Sequence, residues 1–380
     1  MIFYISIFAL LWFALFVSAA NGVRLISFEI ISLVIFVLVA GQRFETGNDW
    51  LVYRDHYVAI QNFGLSAGGD EQFPMFEPLY VLLAFVVGVI FDFQTFLLLV
   101  AIFNGIVLFY FARVWGASFL GMFAIYYAWI YLATQMATTR YSLAISFVLL
   151  ALIAFFEGRR LLAYALLLVA TGFHVFVIAF FALFFFFGRS LTLRWALTLL
   201  IGGFVVANLL LFAVSTGVLS WLPFSEKIAF YVDVATVGSP SAGSIVYVIL
   251  NLIFFFWVMV GFESGIRLRV VQWSVFYLLF FQIAFWMLPV FWGRVQIFVL
   301  TIQACVLSMY FIERRSLFSL IGVGMLSLAM LVKFVADPAF ISYIPYQSYW
   351  VDELLARTAL DDGEKRFYEA IDASRERNSR

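Results

Sequence analysis

Long apolar runs extend along almost the whole chain, and they constrain the fold more than any other feature of the sequence. Of the 380 residues, 66% are apolar, whereas a soluble domain usually has about 45–50%. Charged side chains make up 12%, and 14 of the 44 lie in the last 30 positions. A chain with so few charges could not cover a water-facing surface. Because β-barrels need short alternating segments, the continuous runs favour a polytopic bundle of transmembrane helices.

Polar interruptions divide the apolar sequence into twelve predicted spans. The composition predicts an all-α polytopic membrane protein with about 11–13 transmembrane helices. The predicted spans are 2–19, 25–41, 95–112, 117–134, 141–156, 161–173, 174–187, 195–216, 245–263, 270–288, 290–311 and 316–334. A further apolar segment near 77–91 is predicted as a re-entrant or interfacial helix, which is tolerated where it lines a cavity. Residues 1–350 are thus predicted as a single integral membrane domain and 351–380 as a charged C-terminal tail.

Basic residues are distributed unequally between the two predicted sides of the membrane. If Arg24 faces the cytoplasm, that side collects ten basic and three acidic residues, and the other side six basic and ten acidic. The long polar segments, about 42–76, 219–244 and 336–350, all lie on the other, outer side. Because long loops carry function more often than tight turns, we expect the outer face to be the working face.

Composition excludes several classes of function. The net charge is zero, so no basic surface for nucleic acid is expected. Cys305 is the only cysteine, and His56 and His174 are the only histidines, so neither an internal disulfide nor a metal site built from cysteines or several histidines is expected. The sequence contains no phosphate-binding glycine loop and no Gly-x-Ser-x-Gly elbow.

The first outer segment combines a polar cluster with an aromatic helix face. Arg43, Gly47 and Asp49 precede a predicted helix that begins near Asn48. The aromatic residues that share one face of this helix are Trp50, Tyr53 and Tyr57. An anchor at the membrane interface accounts for these aromatic residues. It accounts less well for the polar cluster, so a functional site and a simple anchor are both open interpretations.

Glu77 lies at the start of the predicted re-entrant helix. Pro78 suits the first turn of a helix, and a carboxylate at that position is stabilised by the helix N-terminus. Glu77 is therefore either a helix start and nothing more, or a general base at the mouth of the re-entrant segment. His174 lies at the tip of a predicted hairpin of short helices. It either packs there or donates to a substrate and moves a proton.

Two arginines lie on the outer side against the charge bias. Arg140 opens the span that begins at 141, and Arg294 follows the Phe-Trp-Gly sequence at 291–293. An arginine near the hydrocarbon usually has a partner or a ligand. A planar guanidinium suits phosphate oxygens, so we favour anion binding over a structural pair with a carboxylate such as Asp49 or Asp92.

These motifs occur in an order that resembles the EpsG-like branch of the Wzy-type polysaccharide polymerases. The resemblance covers about residues 1–350. The residues that carry it are Arg43, Gly47-Asn48-Asp49, Tyr53, Tyr57, Glu77-Pro78, Thr139-Arg140-Tyr141-Ser142-Leu143-Ala144, Phe173-His174 and Arg294. The family usually has Gly-Thr-Asp at 47–49 and Arg-Gln at 140–141. The second departure keeps the arginine but changes the polar contact beside it.

The resemblance implies a membrane glycosyltransferase that joins oligosaccharide repeat units carried on undecaprenyl pyrophosphate. The reaction would occur on the outer, periplasmic face of the bacterial inner (cytoplasmic) membrane, without a metal or other cofactor. The implied roles are a base at Asp49, Glu77 or His174, pyrophosphate ligands at Arg140, Arg294 and Arg43, and sugar or lipid contacts at Trp50, Tyr53 and Tyr57. The implied partners are the lipid-linked oligosaccharide, the lipid bilayer and a chain-length regulator. O-antigen, capsule and exopolysaccharide remain open as products.

Two other functions remain open. One is a membrane glycosyltransferase that uses a polyprenyl-monophosphate sugar donor, since such an enzyme would share the outward arginines and the carboxylate. The other is a flippase or transporter of lipid-linked sugars, a class that often shows internal repeats and a charged path through the bundle. No repeat is evident, and few charges lie within the predicted spans, among them Glu29 and, near an end, Lys333, which disfavours a transporter.

Overall fold

The chain folds into apolar helices with almost no sheet. The computed structural model describes residues 1–21, 25–65, 76–218, 242–261, 265–286, 289–314, 317–354 and 360–378. Its α-helices are α1 (Ile2–Asn21), α2 (Ile26–Gly41), α3 (Trp50–Phe63), α4 (Pro78–Gly88), α5 (Phe93–Trp115), α6 (Phe119–Tyr126), α7 (Thr139–Phe156), α8 (Arg160–Phe173), α9 (Ile178–Phe186), α10 (Leu193–Ser215), α11 (Ala242–Gly261), α12 (Ile266–Ala284), α13 (Pro289–Arg314), α14 (Leu317–Val335), α15 (Tyr349–Leu354) and α16 (Leu360–Asn378). A π-helix spans Tyr127–Ala137, and 3-10 helices span Val175–Val177 and Pro338–Tyr343.

Every predicted span contains a helix, which confirms the all-α polytopic membrane fold. Seven helical stretches among the described residues are long and apolar enough to cross a membrane: Ile2–Asn21, Phe93–Trp115, Phe119–Ala137, Thr139–Phe156, Ile266–Ala284, Phe291–Tyr310 and Leu317–Val335. Shorter apolar helices account for the remaining predicted spans. The predicted outer loop 219–244 lies outside the described residues up to position 241.

The position of helix α4 in the membrane stays a prediction, and the helix lies in the segment predicted as re-entrant or interfacial. It has 11 residues, so it is about 16 Å long, about half the hydrocarbon thickness. The Phe76 ring, just before α4, packs on Tyr53 of α3. Just after α4, the Tyr57 hydroxyl of the same helix donates to the carbonyl of Phe91 at 2.9 Å. The segment therefore leaves α3 and returns to it.

The described helices form two compact units. The first comprises Met1–Ile178 and Gln303–Arg375, and the second comprises Ala179–Ile302 with the last residues of the chain. In the first unit α7 packs on α8 and α2 on α5, and in the second α10 and α11 both pack on α12. The single membrane domain predicted for 1–350 stays a prediction.

A buried polar network fixes the arrangement of α5, the π-helix and α7 in the first unit. The Asn104 amide nitrogen donates to Gln135 Oε1 and to Ser142 Oγ, both at 3.0 Å. The Ser146 hydroxyl donates to Asn104 Oδ1 at 2.7 Å, and Gln135 Nε2 donates to the Tyr126 hydroxyl at 2.9 Å. Polar groups inside an apolar bundle must find partners, so this network specifies one packing of the three helices.

Glu29, a charge within a predicted span, has a structural partner. The Glu29 side chain is 1% exposed, and its Oε2 lies 2.7 Å from Arg113 Nη2. Glu29 is in the first turn of α2, and Arg113 is in the last turn of α5. The pair therefore joins these helices at the end of the unit opposite to Arg43, and it accounts for Glu29 without a polar path.

Two of the predicted outer loops pair with each other. The strands β1 (Arg43–Phe44) and β2 (Gln347–Ser348) form a two-stranded antiparallel sheet, with Arg43 opposite Ser348. We call residues 42–48 the Arg43 loop. The Gly47 amide of this loop donates to the carbonyl of Ser342 at 2.9 Å, which adds a further connection between the two loops.

Gly47 occupies a position that only glycine fits, so its replacement by alanine is expected to destabilise the protein. Its φ is +107°, and a Cβ there would overlap the carbonyl oxygen of Met136. A left-handed backbone costs a non-glycine residue about 1–2 kcal/mol, and the overlap raises the expected loss for Gly47→Ala to about 3 kcal/mol or more.

Gly116→Ala is the matched control, because φ is +79° and nothing lies near its missing Cβ. It should lose only about 1 kcal/mol, the backbone cost alone. Thermal unfolding of both variants in detergent measures the difference. Equal losses would show that the Met136 carbonyl does not restrict position 47.

Candidate functional site

Arg43 is a buried charge that joins three elements of the first unit. Arg43 is only 2% exposed. Nη1 donates to the carbonyls of Ala40, at 3.2 Å, and of Gln135, and Nη2 donates to Thr139 Oγ1 at 3.0 Å. The guanidinium thus connects the end of α2, the end of the π-helix and the start of α7. Its Nε is buried and has no acceptor among the described residues.

Arg140 follows Thr139 directly and forms an ion pair with Glu77. Its Nη1 lies 2.5 Å from Glu77 Oε2, and both side chains are largely buried. The guanidinium carbon stands 3.9 Å from the centre of the Phe76 ring. Nε of Arg140 is buried without an acceptor among the described residues. The carboxylate partner is therefore Glu77, and neither Asp49 nor Asp92.

Glu77 also contacts the tip that carries His174. Its Oε1 accepts a hydrogen bond from the backbone amide of Val175 at 3.2 Å. Nδ1 of His174 accepts from the amide of Phe176 at 3.3 Å, so a neutral His174 carries its proton on Nε2. The Tyr141 ring meets the His174 ring edge-on at 4.8 Å. The structure thus brings Arg140, Glu77 and His174 together at one place.

Asp49 is the residue that precedes α3, and it belongs to the same end of the unit. Its carbonyl accepts from the amide of Tyr53 at 3.0 Å. Burial raises the pKa of Tyr53, and the negative charge of Asp49 adds to this effect, whereas Arg140 opposes it. The Tyr53 hydroxyl is therefore neutral near pH 7, and it accepts from the backbone amide of Arg140 at 3.5 Å.

The aromatic face of α3 packs inward. Trp50, Tyr53 and Tyr57 share the predicted face, and each is at most 4% exposed. The rings of Trp50 and Tyr57 lie 5.6 and 5.5 Å from that of Phe93. These rings pack on α5 within the described part of the chain, which differs from an anchor that faces lipid. Their contact with sugar or lipid stays a prediction.

His56 lies next to the ion pair of Arg140. Its ring stacks on that of Phe76, with centroids 3.9 Å apart, on the ring that also carries the Arg140 guanidinium. Burial, together with the positive charge of Arg140, lowers the pKa of His56 from 6.5 to about 4. His56 is therefore neutral at pH 7.

Arg294 lies in α13, within the second compact unit. Its side chain is half-buried. Its predicted role as a pyrophosphate ligand stays a prediction.

Three residues of this site were not predicted from the sequence. Thr139 accepts from Arg43, Phe76 stacks on Arg140, and His56 stacks on Phe76. Each stands beside a predicted residue or on the face of one, since Thr139 precedes Arg140, Phe76 precedes Glu77, and His56 follows Tyr53 by three positions. Proximity in the sequence to a predicted site residue was the signal that could have identified them.

The arrangement offers positive charge and a proton acceptor, but no metal cluster. Two guanidiniums with unused Nε atoms stand near the Glu77 carboxylate and two histidines, His56 and His174. Among the described residues, no group of three or more His, Cys, Asp and Glu side chains could hold a metal ion. Cationic side chains with a carboxylate are suited to binding an anion and to general acid–base chemistry.

Comparison with known families identifies the class of protein. Residues 25–348 match the model of the EpsG family. The chain belongs to the EpsG family. No curated protein and no solved structure matches the chain. EpsG membership confirms the resemblance and indicates a polysaccharide-polymerase-like membrane protein of glycosyltransferase type. The match includes the Arg43 loop, Glu77, Arg140, His174 and Arg294.

The lowered pKa of His56 predicts that this EpsG-family protein loses stability in mild acid. Between about pH 4 and 6.5 the unfolded chain binds a proton that the folded chain does not, so stability falls as the pH falls through this window. For one histidine the loss between pH 8 and pH 5 is about 2 kcal/mol. Thermal unfolding across this range measures it.

His56→Phe is the control for this titration, because phenylalanine keeps a ring against Phe76 and cannot be protonated. The variant should lose most of the decline between pH 8 and pH 5. An unchanged pH profile in His56→Phe would assign the acid sensitivity to other groups.

Proposed function

We propose that this protein polymerises oligosaccharide repeat units carried on undecaprenyl pyrophosphate. It would do so on the outer face of the bacterial inner membrane, while the lipid chain of the substrate lies in the bilayer. The observation that supports the proposal is the Arg140–Glu77 pair, a guanidinium in direct contact with a carboxylate. Both residues lie within the matched EpsG region.

The reaction moves the growing chain from its lipid carrier to the next lipid-linked unit. The acceptor hydroxyl oxygen forms a bond to the anomeric carbon of the growing chain. The bond from that carbon to the pyrophosphate oxygen breaks, and undecaprenyl pyrophosphate leaves with the electron pair. A base must take the hydroxyl proton, and cations must stabilise the leaving pyrophosphate.

Arg140 is the proposed first ligand of the pyrophosphate. A pyrophosphate would take the place of the Glu77 carboxylate at Arg140, since both groups present oxygen atoms to a guanidinium. Arg43 donates to Thr139, the residue before Arg140, and so adds a second positive charge near Arg140. Arg294 is the proposed third ligand.

Glu77 is the base that the geometry favours over Asp49. A donor that takes its place at Arg140 would leave the Glu77 carboxylate available to accept the hydroxyl proton. Nε2–H of His174 is a suitable donor for a sugar hydroxyl or a phosphate oxygen, since Nδ1 already accepts from Phe176. The guanidinium carbon of Arg140 also lies 5.9 Å from the centre of the Tyr53 ring.

Arg140→Lys is expected to abolish chain extension while the protein still inserts into the membrane. Lysine keeps the charge but lacks the planar fork and the stack on Phe76. The loss of one preorganised cation should lower turnover at least about 100-fold. The variant is tested by complementing a gene deletion in the host and sizing both the surface glycan and the lipid-linked intermediates.

Arg54→Lys is the matched control, because Arg54 lies on α3, the helix that carries Tyr53, and pairs with the exposed Asp55. It should restore wild-type chain lengths. Single repeat units on the outer leaflet of the deletion strain would support polymerisation as the missing step. Units trapped on the inner leaflet would identify a flippase, and truncated units a transferase of one sugar. Wild-type chains from Arg140→Lys would remove Arg140 from the mechanism.

Chelation of divalent metals is expected to leave the activity unchanged. In the proposed reaction the charge on the leaving pyrophosphate is met by arginine side chains. EDTA added to purified protein with lipid-linked repeat units should change the rate by less than about twofold. A loss of activity that is restored by Mg²⁺ or Mn²⁺ would contradict this part of the proposal.

A further inference from the structure

The C-terminal tail, predicted as a charged segment outside the membrane domain, has one buried arginine. Arg366 of α16 is 8% exposed, whereas the side chain of its neighbour Lys365 is 74% exposed. Arginine is almost never buried without hydrogen-bond partners. The burial of Arg366 therefore marks the face of α16 that contacts the rest of the first unit.

Three acceptors of Arg366 belong to the paired loops. Nη2 donates to the carbonyl of Glu45 at 3.0 Å and to Gln347 Oε1 at 2.5 Å, and Nη1 donates to the carbonyl of Pro345 at 3.0 Å. The amide of Gly363 donates to Glu45 Oε2 at 3.1 Å. The tail helix therefore holds Glu45 by its backbone and by its side chain.

Glu45 is the residue of the Arg43 loop that most needs such support. Its φ is +45°, the only positive value of a non-glycine residue among those described. A non-glycine residue keeps this conformation only where its surroundings impose it. Glu45 stands two positions from Arg43 and two from Gly47, the residues that join the loop to the π-helix and to the 3-10 helix.

We propose that Arg366 is a positioning residue and that α16 is a latch on the Arg43 loop. Its contacts fix Glu45, which fixes the placement of Arg43 against Gln135 and Thr139, next to Arg140. The inference rests on the proposed function for its consequence, which is the affinity for a pyrophosphate. The contacts between α16 and the Arg43 loop can be tested independently of that affinity.

The test compares three variants of the full-length protein in lipid discs. Arg366→Ala removes the guanidinium. Gly363→Ala places a Cβ against the side chain of Glu45 and reaches the same contact from a second residue. Lys365→Ala is the matched control on the exposed side of α16.

Hydrogen exchange of the Arg43 loop is the first measurement. The amide of Gly47, bonded to Ser342, should exchange about tenfold faster in Arg366→Ala and Gly363→Ala, as expected for the loss of hydrogen bonds to a charged group. Lys365→Ala should match the wild type, and peptides from α7 should be unchanged in all three. Faster exchange confined to 360–378 would overturn the proposal. Should Arg366→Ala prove unfolded, Gly363→Ala alone decides.

Binding of undecaprenyl pyrophosphate is the second measurement, and a tail with a merely structural role would not change it. Both latch variants should bind about tenfold more weakly than Lys365→Ala, because Arg43 is displaced. Wild-type affinity in both variants would overturn the positioning role. Absence of binding by the wild type would overturn the proposed function, and the exchange measurement would still decide whether the latch exists.

Discussion

The buried guanidinium of Arg43 is the interaction on which this end of the first unit depends. A charge inside an apolar bundle is tolerated only with several hydrogen bonds, and Arg43 has them from three different elements. The same bonds fix where α2 ends, where the π-helix ends and where α7 begins. The position of Arg140, one residue after the Thr139 acceptor, is a consequence of this arrangement.

The end of the π-helix provides one of these acceptors. Gln135 lies in its last turn, where carbonyl groups have no partner further along the helix, and the carbonyl of Gln135 accepts from Arg43. The side chain of Gln135 accepts a hydrogen bond from Asn104 and donates one to the Tyr126 hydroxyl. One residue therefore serves the polar network between the helices and the candidate site together.

The helices could be predicted from the sequence because their signal is local. An apolar run between polar interruptions specifies a helix wherever it lies, so the twelve predicted spans all contain one. The short helix after Glu77 could also be predicted, from the apolar run that begins at Pro78. The inward packing of Trp50 and Tyr57 could not, because the aromatic face of α3 suits a lipid interface and a protein interior equally.

Contacts between distant parts of the chain had no signal in the sequence. Arg366 and Glu45 are separated by 321 positions, and nothing in the tail distinguishes Arg366 from its charged neighbours. The position of Gly47 against Met136 depends on how two loops pair, which no local pattern specifies. The predicted charges of the site were found because charge is rare in this chain, and their neighbours were missed because Thr139 and Phe76 carry none.

The Arg140–Glu77 pair bears on the two interpretations that the sequence left open. A structural pair and an anion site were alternatives for Arg140, and the pair that forms uses the carboxylate of Glu77, directly before α4. Ion pairs of this kind contribute little net stability, because desolvation offsets much of the attraction. Stability alone therefore does not account for placing both charges here. An anion that replaces Glu77 at Arg140 would exchange one oxygen ligand for another at small cost, and in the proposed reaction it would free this carboxylate to act as the base.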